Sequence, residues 1–103
     1  MDMMLQKIQE RFLERAVLFG SQFLLHPKDA LEYLTACKSY AFRLEGVEGF
    51  LVTENGAYQP SQEDSNDFND VNCSHGEFVN MTRTFIEERS KKNVLFEVVF
   101  SEH

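Results

Sequence analysis

The chain contains few of the residues that mark disulfide-rich or strongly basic proteins. Its 103 residues include two cysteines, two prolines, five glycines and no tryptophan. Two cysteines are too few for a disulfide framework, so we expect a reducing, cytoplasmic setting. No apolar run approaches the roughly 18 residues that a membrane-spanning helix requires, and the first residues lack the continuous apolar stretch of an export signal.

Basic residues are also scarce. Ten lysines and arginines stand against 17 acidic residues, which gives a net charge of −7. Nucleic acids and anionic membranes are bound by basic surfaces, so we expect neither as a partner. The chain is nevertheless 43% hydrophobic and has ten phenylalanines, which is too apolar for a disordered acidic tail. Its length predicts one domain, residues 1–103, with its own core.

Three segments have the pattern of helices. Apolar residues recur at helical spacing from Leu5 to Phe23, which predicts a first amphipathic helix of about 17 to 20 residues. Pro27 suits the first turn of a second helix, which should end before Tyr40. The residues Ser74-His75-Gly76-Glu77 have the pattern of a capping box and predict the start of a third helix, which should end near Asn93.

Between the second and third helices the hydrophobic period changes to two, which predicts a meander of short strands. These strands cover residues 40–45, 50–53 and 57–59. Gly46 and Gly49 should bracket a turn, and Asn55-Gly56 is typical of a tight hairpin, because both residues tolerate positive φ. Pro60 should end the third strand.

Residues 94–100 are apolar on both faces, which predicts a last strand inside the sheet rather than at its edge. The resulting order is α-α-β-β-β-α-β. It predicts an α+β fold in which a small, largely antiparallel sheet is packed by three helices.

The negative charge is concentrated in the middle of the chain. Residues 41–74 contain one arginine and seven acidic residues, a net charge of −6, whereas residues 1–40 are neutral and residues 75–103 carry −1. Residues 61–73 are polar, acidic and rich in turn formers, which predicts an acidic loop. Loops of this length are usually functional or flexible.

No pattern in the chain predicts catalysis, a metal or a cofactor. Cys73 and His75 are close in sequence, but a structural zinc site usually takes four ligands, and the capping box already explains this segment. Asp64, Asp67 and Asp70 are spaced by three, whereas an EF-hand loop has ligands at alternate positions and a glycine. We therefore expect no catalytic residue, no metal and no cofactor.

A localised negative patch can attract a basic protein partner and speed its association, and aromatic residues inside the patch can anchor it. The residues that we expect to bind such a partner are chosen for charge and location. They are Glu54, Tyr58, Glu63, Asp64, Asp67, Phe68 and Asp70. Alternatively, the acidic residues only keep an irregular loop solvated.

As a small, acidic α+β domain with no catalytic pattern, the chain resembles the immunity proteins that bacteria make against their own toxin domains. These include the contact-dependent-inhibition and polymorphic-toxin systems. The resemblance is one of overall character, and its most distinctive stretch is Thr53-Glu54-Asn55-Gly56-Ala57-Tyr58. It implies a protein that binds and blocks a basic, nuclease-like toxin domain. An adaptor or regulatory subunit that uses the first helix or the last strand for oligomerisation is the alternative.

Overall fold

The computed structural model describes residues 4–39, 42–67 and 74–101. The predicted α+β class, with three helices and antiparallel sheets, is confirmed. The elements are α1 (Met4–Phe12), a 3-10 turn (Leu13–Arg15), β1 (Val17–Phe19), β2 (Gln22–Leu24), α2 (Pro27–Ser39), β3 (Arg43–Val52), β4 (Tyr58–Asn66), α3 (His75–Glu87) and β5 (Val94–Ser101). Among these residues no helix is long and apolar enough to cross a membrane.

The main sheet has three strands, with β3 in the middle and antiparallel to both β4 and β5. Side chains alternate between its two faces. Val47 and Phe96 lie in the main core with Leu34 and Ile86 of the helices, so we call this side the helical face. We call the opposite side the open face.

The first helix is shorter than predicted and ends at Phe12, because the chain beyond it turns into the β1–β2 hairpin. Gly20 adopts a φ of 63°, which lets the chain reverse there. Leu24 of the hairpin is fully buried with Phe50 and Leu95 in a small cluster on the open face. The apolar stripe of α1 is used internally, because Ile8 and Phe12 are buried in the main core.

The prediction that Gly46 and Gly49 bracket a turn is wrong, since both lie within the continuous strand β3. Their role is to let β4 approach closely. A Cβ atom at Gly49 would lie 2.4 Å from the Asp64 carbonyl oxygen, and one at Gly46 would lie 3.0 Å from the Asp67 Cα atom. Glycine in a strand interior commonly marks such a close backbone approach.

The predicted acidic loop 61–73 is wrong in its first part, because β4 continues through Pro60 to Asn66. Pro60 is tolerated because β4 is an edge strand, where no hydrogen-bond donor is needed on the outer side. Val47 pairs with Asn66 but Gly49 pairs with Ser61, so four residues of β4 stand against one of β3. Residues 62–65 therefore form a wide bulge, and residues 68–73 lie outside the described residues.

The composition of the last strand predicted a position inside the sheet, but this prediction is wrong, because β5 lies at one end of the strand order β4-β3-β5. β5 pairs with β3 along one edge, and its other edge is met by Leu25, whose backbone exchanges hydrogen bonds of 2.8 and 2.7 Å with Phe96. Its two faces are apolar for a different reason. Phe96 is covered by the helices and Leu95 by the β1–β2 hairpin.

The start of the third helix was predicted correctly, but its end was not. The capping box is confirmed, because Ser74 Oγ accepts from the Glu77 amide at 3.2 Å and the Ser74 amide donates to Glu77 Oε1 at 3.0 Å. The third helix nevertheless ends at Glu87, earlier than predicted, and turns lead from it to β5.

Candidate functional site

The open face of the sheet is divided into an apolar half and an acidic half. Leu24, Phe50 and Leu95 fill the apolar half beneath the hairpin. Beyond the hairpin lie four acidic residues that we call the acidic face. They are Glu45, Glu48 and Glu97 of the sheet and Asp67, which directly follows β4.

An open cleft of about 540 Å³ lies on this acidic half. Glu45, Glu48 and Val99 contribute to its floor, and Asn66 and Asp67 at the end of β4 form part of its wall. The wall stands where it does because the bulge in β4 folds over the glycines of β3. The cleft therefore combines the negative charge of Glu45, Glu48 and Asp67 with the apolar side chain of Val99.

Glu48 and Glu97 are directly opposite each other on adjacent antiparallel strands. Gln22 of the hairpin donates a hydrogen bond of 3.3 Å from Nε2 to Glu97 Oε1. Partial burial raises the pKa of the Glu97 carboxyl, and the neighbouring charge of Glu48 raises it further, although the bond from Gln22 opposes the change. Two like charges held opposite each other destabilise a sheet.

Arg43 is a basic residue at one end of the acidic face. Its Nε lies 3.8 Å from Glu45 Oε2, and 66% of its side chain is exposed. Exposed ion pairs at this distance contribute little, so Arg43 neutralises the acidic face only weakly.

Asp64 does not lie on the surface, which contradicts the expectation that it binds a partner. Its side chain is fully buried on the side of the bulge that faces α3. Its Oδ1 accepts from Arg89 Nε at 3.0 Å and from Lys92 Nζ at 2.9 Å, and its Oδ2 accepts from Ser61 Oγ at 2.7 Å. Asp64 is therefore a structural residue that ties β4 to the end of α3.

The other predicted residues are scattered. Asp67 lies on the acidic face. Glu54 lies in the turn beyond the far end of β3, and Tyr58 packs half-buried against Phe19 with 5.5 Å between ring centroids. Glu63 is exposed, with its carboxylate 3.9 Å from Lys92. Phe68 and Asp70 lie outside the described residues.

Sequence reasoning did not select Glu45, Glu48 or Glu97 as binding residues. One signal could have identified Glu97, because it is a single charged residue within the apolar strand Val94–Ser101. Its position opposite Glu48 depends on strand register, which the sequence alone did not provide.

His75 and Cys37 have side-chain types that can take part in metal or thiol chemistry, but both contribute to the fold here. His75 Nε2 accepts a hydrogen bond of 3.0 Å from the Leu44 amide, which links the start of α3 to β3. Cys37 is buried, and burial raises the pKa of its thiol to about 11, so that the reactive thiolate is disfavoured. Within residues 4–39, 42–67 and 74–101, no three His, Cys, Asp or Glu side chains are grouped so as to hold a metal.

Comparison with known proteins identifies no relative. No protein-family model matches the chain, and neither a curated protein nor a solved structure is significantly similar to it.

Proposed function

We propose that this chain is a non-catalytic binding protein that neutralises a basic protein partner through its acidic face. The best candidate for the partner is a nuclease-like toxin domain, which would make the chain a bacterial immunity protein that acts in the cytoplasm. The observation that carries the proposal is the placement of Glu48 and Glu97 opposite each other beside a cleft lined by Glu45 and Asp67.

The cost of this arrangement supports a binding role. Like charges opposite each other weaken a sheet by up to about 1 kcal/mol, and partial burial of Glu97 adds to that cost. A cationic partner would remove the cost on binding, because each carboxylate would then face a positive charge. Functional sites can keep destabilising arrangements when their function depends on them.

The proposed mechanism is electrostatic and steric. Nucleases hold phosphates in cationic clefts, and the carboxylates of the acidic face would occupy the same positions as those phosphates. Long-range attraction would speed association, and salt would suppress this effect. The bound protein would then exclude nucleic acid by its volume.

The test begins with capture of partners from an extract of the source cell at low salt, with the wild-type protein as bait. The gene of each captured protein is then expressed alone and together with the wild-type chain. The proposal expects a captured partner that is basic, arrests growth when expressed alone, and is neutralised by the wild-type chain.

The decisive variant combines Glu48→Lys with Glu97→Lys. Its two lysines still repel each other, so it keeps the like-charge cost but reverses the sign of the surface. It should lose the ability to restore growth, whereas Glu87→Lys, at an exposed position on α3, should keep it. Equal rescue by the reversed and the wild-type proteins would contradict the proposal.

A further inference from the structure

We infer that the segment recognised by the acidic face carries apolar side chains beside its lysines or arginines, and that Val99 and Phe19 receive them. This inference rests on the proposed function and specifies the chemistry of the partner. Its basis is that both residues are 40% exposed and lie on either side of the Glu48–Glu97 pair, Val99 on the open face and Phe19 packed over it against Phe50.

Val99 is exposed because its cross-strand neighbour is a glycine. It pairs with Gly46, which has no side chain to cover it, and it lies beyond the β1–β2 hairpin that covers Phe50 and Leu95 on the same face. A Cβ atom at Gly46 would lie 3.0 Å from the Asp67 Cα atom, so a larger side chain there would require the chain at the end of β4 to shift. The close approach of β4 thus leaves an uncovered apolar position in the floor of the acidic cleft.

Phe19 and Val99 lie on opposite sides of the Glu48–Glu97 pair, because Phe19 packs on Phe50, which is on the side of the pair away from Val99. The Phe19 ring packs on Phe50 and Tyr58 at 6.3 and 5.5 Å between centroids, which places it over the open face. Its partner in the hairpin is Gln22, which donates to Glu97. Gln22 therefore links Phe19 to the acidic face, because it pairs with Phe19 and donates a hydrogen bond to Glu97.

Leu18 provides an internal comparison. It is 65% exposed, more than Phe19, but it is adjacent to Phe19 in β1 and therefore points to the opposite side. If apolar exposure alone promoted binding, Leu18 would contribute most. If the face determines binding, Val99 and Phe19 contribute and Leu18 does not.

Charge and apolar contact have different effects on binding. Complementary charge mainly raises the association rate and provides specificity, whereas buried apolar residues at the centre of an interface supply much of the affinity. The acidic face alone would form short-lived encounters with any polycation. The two apolar residues allow it to select a cationic segment that also has apolar side chains.

Two synthetic peptides with blocked ends test the inference by nuclear magnetic resonance titration at low salt. One alternates lysine and serine over eight positions, and the other has leucine in place of two serines. The leucine peptide should bind roughly tenfold tighter, as burial of part of two leucine side chains implies. Val99→Thr, which keeps the shape of the side chain, should lose most of that gain, and Leu18→Ser should retain it.

Phe19→Ser provides a second test of the inference, but this substitution also removes the packing of Phe19 on Phe50. Val99→Thr is therefore the decisive variant. Equal affinity for the two peptides overturns the inference while the proposed function stands. A loss in Leu18→Ser as large as that in Val99→Thr also overturns it. If neither peptide binds in a salt-sensitive way, the proposed function fails and the inference fails with it.

Discussion

Glu48 on β3 and Glu97 on β5 stand opposite each other on the open face of the sheet. Directly opposed side chains in an antiparallel pair have Cβ atoms about 5 Å apart, close enough for two carboxylates to repel. The hairpin brings Gln22 to Glu97 but no positive charge. The free protein thus carries a repulsion that a cationic partner would relieve.

We predict that Glu97→Gln increases the free energy of unfolding at pH 7 by up to about 1 kcal/mol, since it removes the like-charge pair. Burial and the charge of Glu48 raise the pKa of Glu97, so its ionised form destabilises the fold above that pKa. The penalty is relieved as the pH falls through the raised value toward that of an ordinary glutamate.

Denaturant unfolding of both proteins across acid to neutral pH measures this effect. The advantage of Glu97→Gln should be largest at neutral pH and disappear in acid. Glu87→Gln, at an exposed position on α3, is the control and should change little. A variant that is less stable than wild type at pH 7 would show that the pair is not strained.

Asp64 should have the opposite dependence on pH. Burial alone raises the pKa of its carboxyl, but the hydrogen bonds from Ser61, Lys92 and Arg89 outweigh burial and lower the pKa. Its charge therefore stabilises the fold above the unfolded-state value, about 3.9, and the contribution is lost as the pH falls through the folded-state value.

We predict that Asp64→Asn costs about 3 kcal/mol near neutral pH, because it leaves Arg89 and Lys92 without their buried counter-ion. The deficit should shrink as the pH falls below about 4. Glu63→Gln, next to it but exposed, should cost less than about 1 kcal/mol. Equal losses in the two variants, measured by denaturant unfolding, would show that the buried ion pairs do not hold the bulge.

Replacing glycine by alanine should have opposite effects on stability at Gly49 and at Gly76. Gly49→Ala places a Cβ atom 2.4 Å from the Asp64 carbonyl oxygen and must displace the bulge of β4. Gly76→Ala meets nothing closer than Ser74 Oγ at 4.0 Å and lies in α3, where alanine is preferred over glycine by about 0.5–1 kcal/mol. Thermal unfolding should show a lower melting temperature for the first and a higher one for the second. A stable Gly49→Ala protein would disprove the close approach.

Thr82 in α3 is fully buried, and within the described residues its Oγ1 has no hydrogen-bond partner. Thr82→Val keeps the shape and removes the buried hydroxyl, so it should raise the free energy of unfolding by about 1 kcal/mol. Thr84→Val, at an exposed position on the same helix, should leave stability nearly unchanged. A loss of stability in Thr82→Val would indicate that the hydroxyl is bonded in solution.

The elements that sequence predicted well depend on nearby residues. The capping box of α3 and the presence of a hairpin turn at Asn55-Gly56 each involve a few consecutive residues, so their patterns were sufficient, although the turn closes between Thr53 and Ala57 around three residues rather than two. Gly49 and Pro60 were misassigned because each resembles a turn residue in isolation. Their observed roles depend on β4, which approaches Gly49 and is itself an edge strand.

The candidate site was harder to predict for the same reason. Concentration of charge in residues 41–74 included β3, which carries part of the proposed acidic face, but the selected residues came from the expected loop. Asp64 looked like one acid among several, yet it is buried and paired with Arg89 and Lys92 in the turns that follow α3. Glu97 joined the site only through the pairing of β5 with β3.

The most direct test of the binding site is a titration of the isotopically labelled wild-type protein with the lysine–serine peptide at low salt. We predict that the largest chemical-shift changes occur at Glu48, Asp67 and Glu97 and that they disappear when salt is raised, as expected for a site that binds through charge. Changes centred instead on Glu54 and Glu63, or changes that persist unaltered in high salt, would contradict the claim that the acidic face is the binding surface.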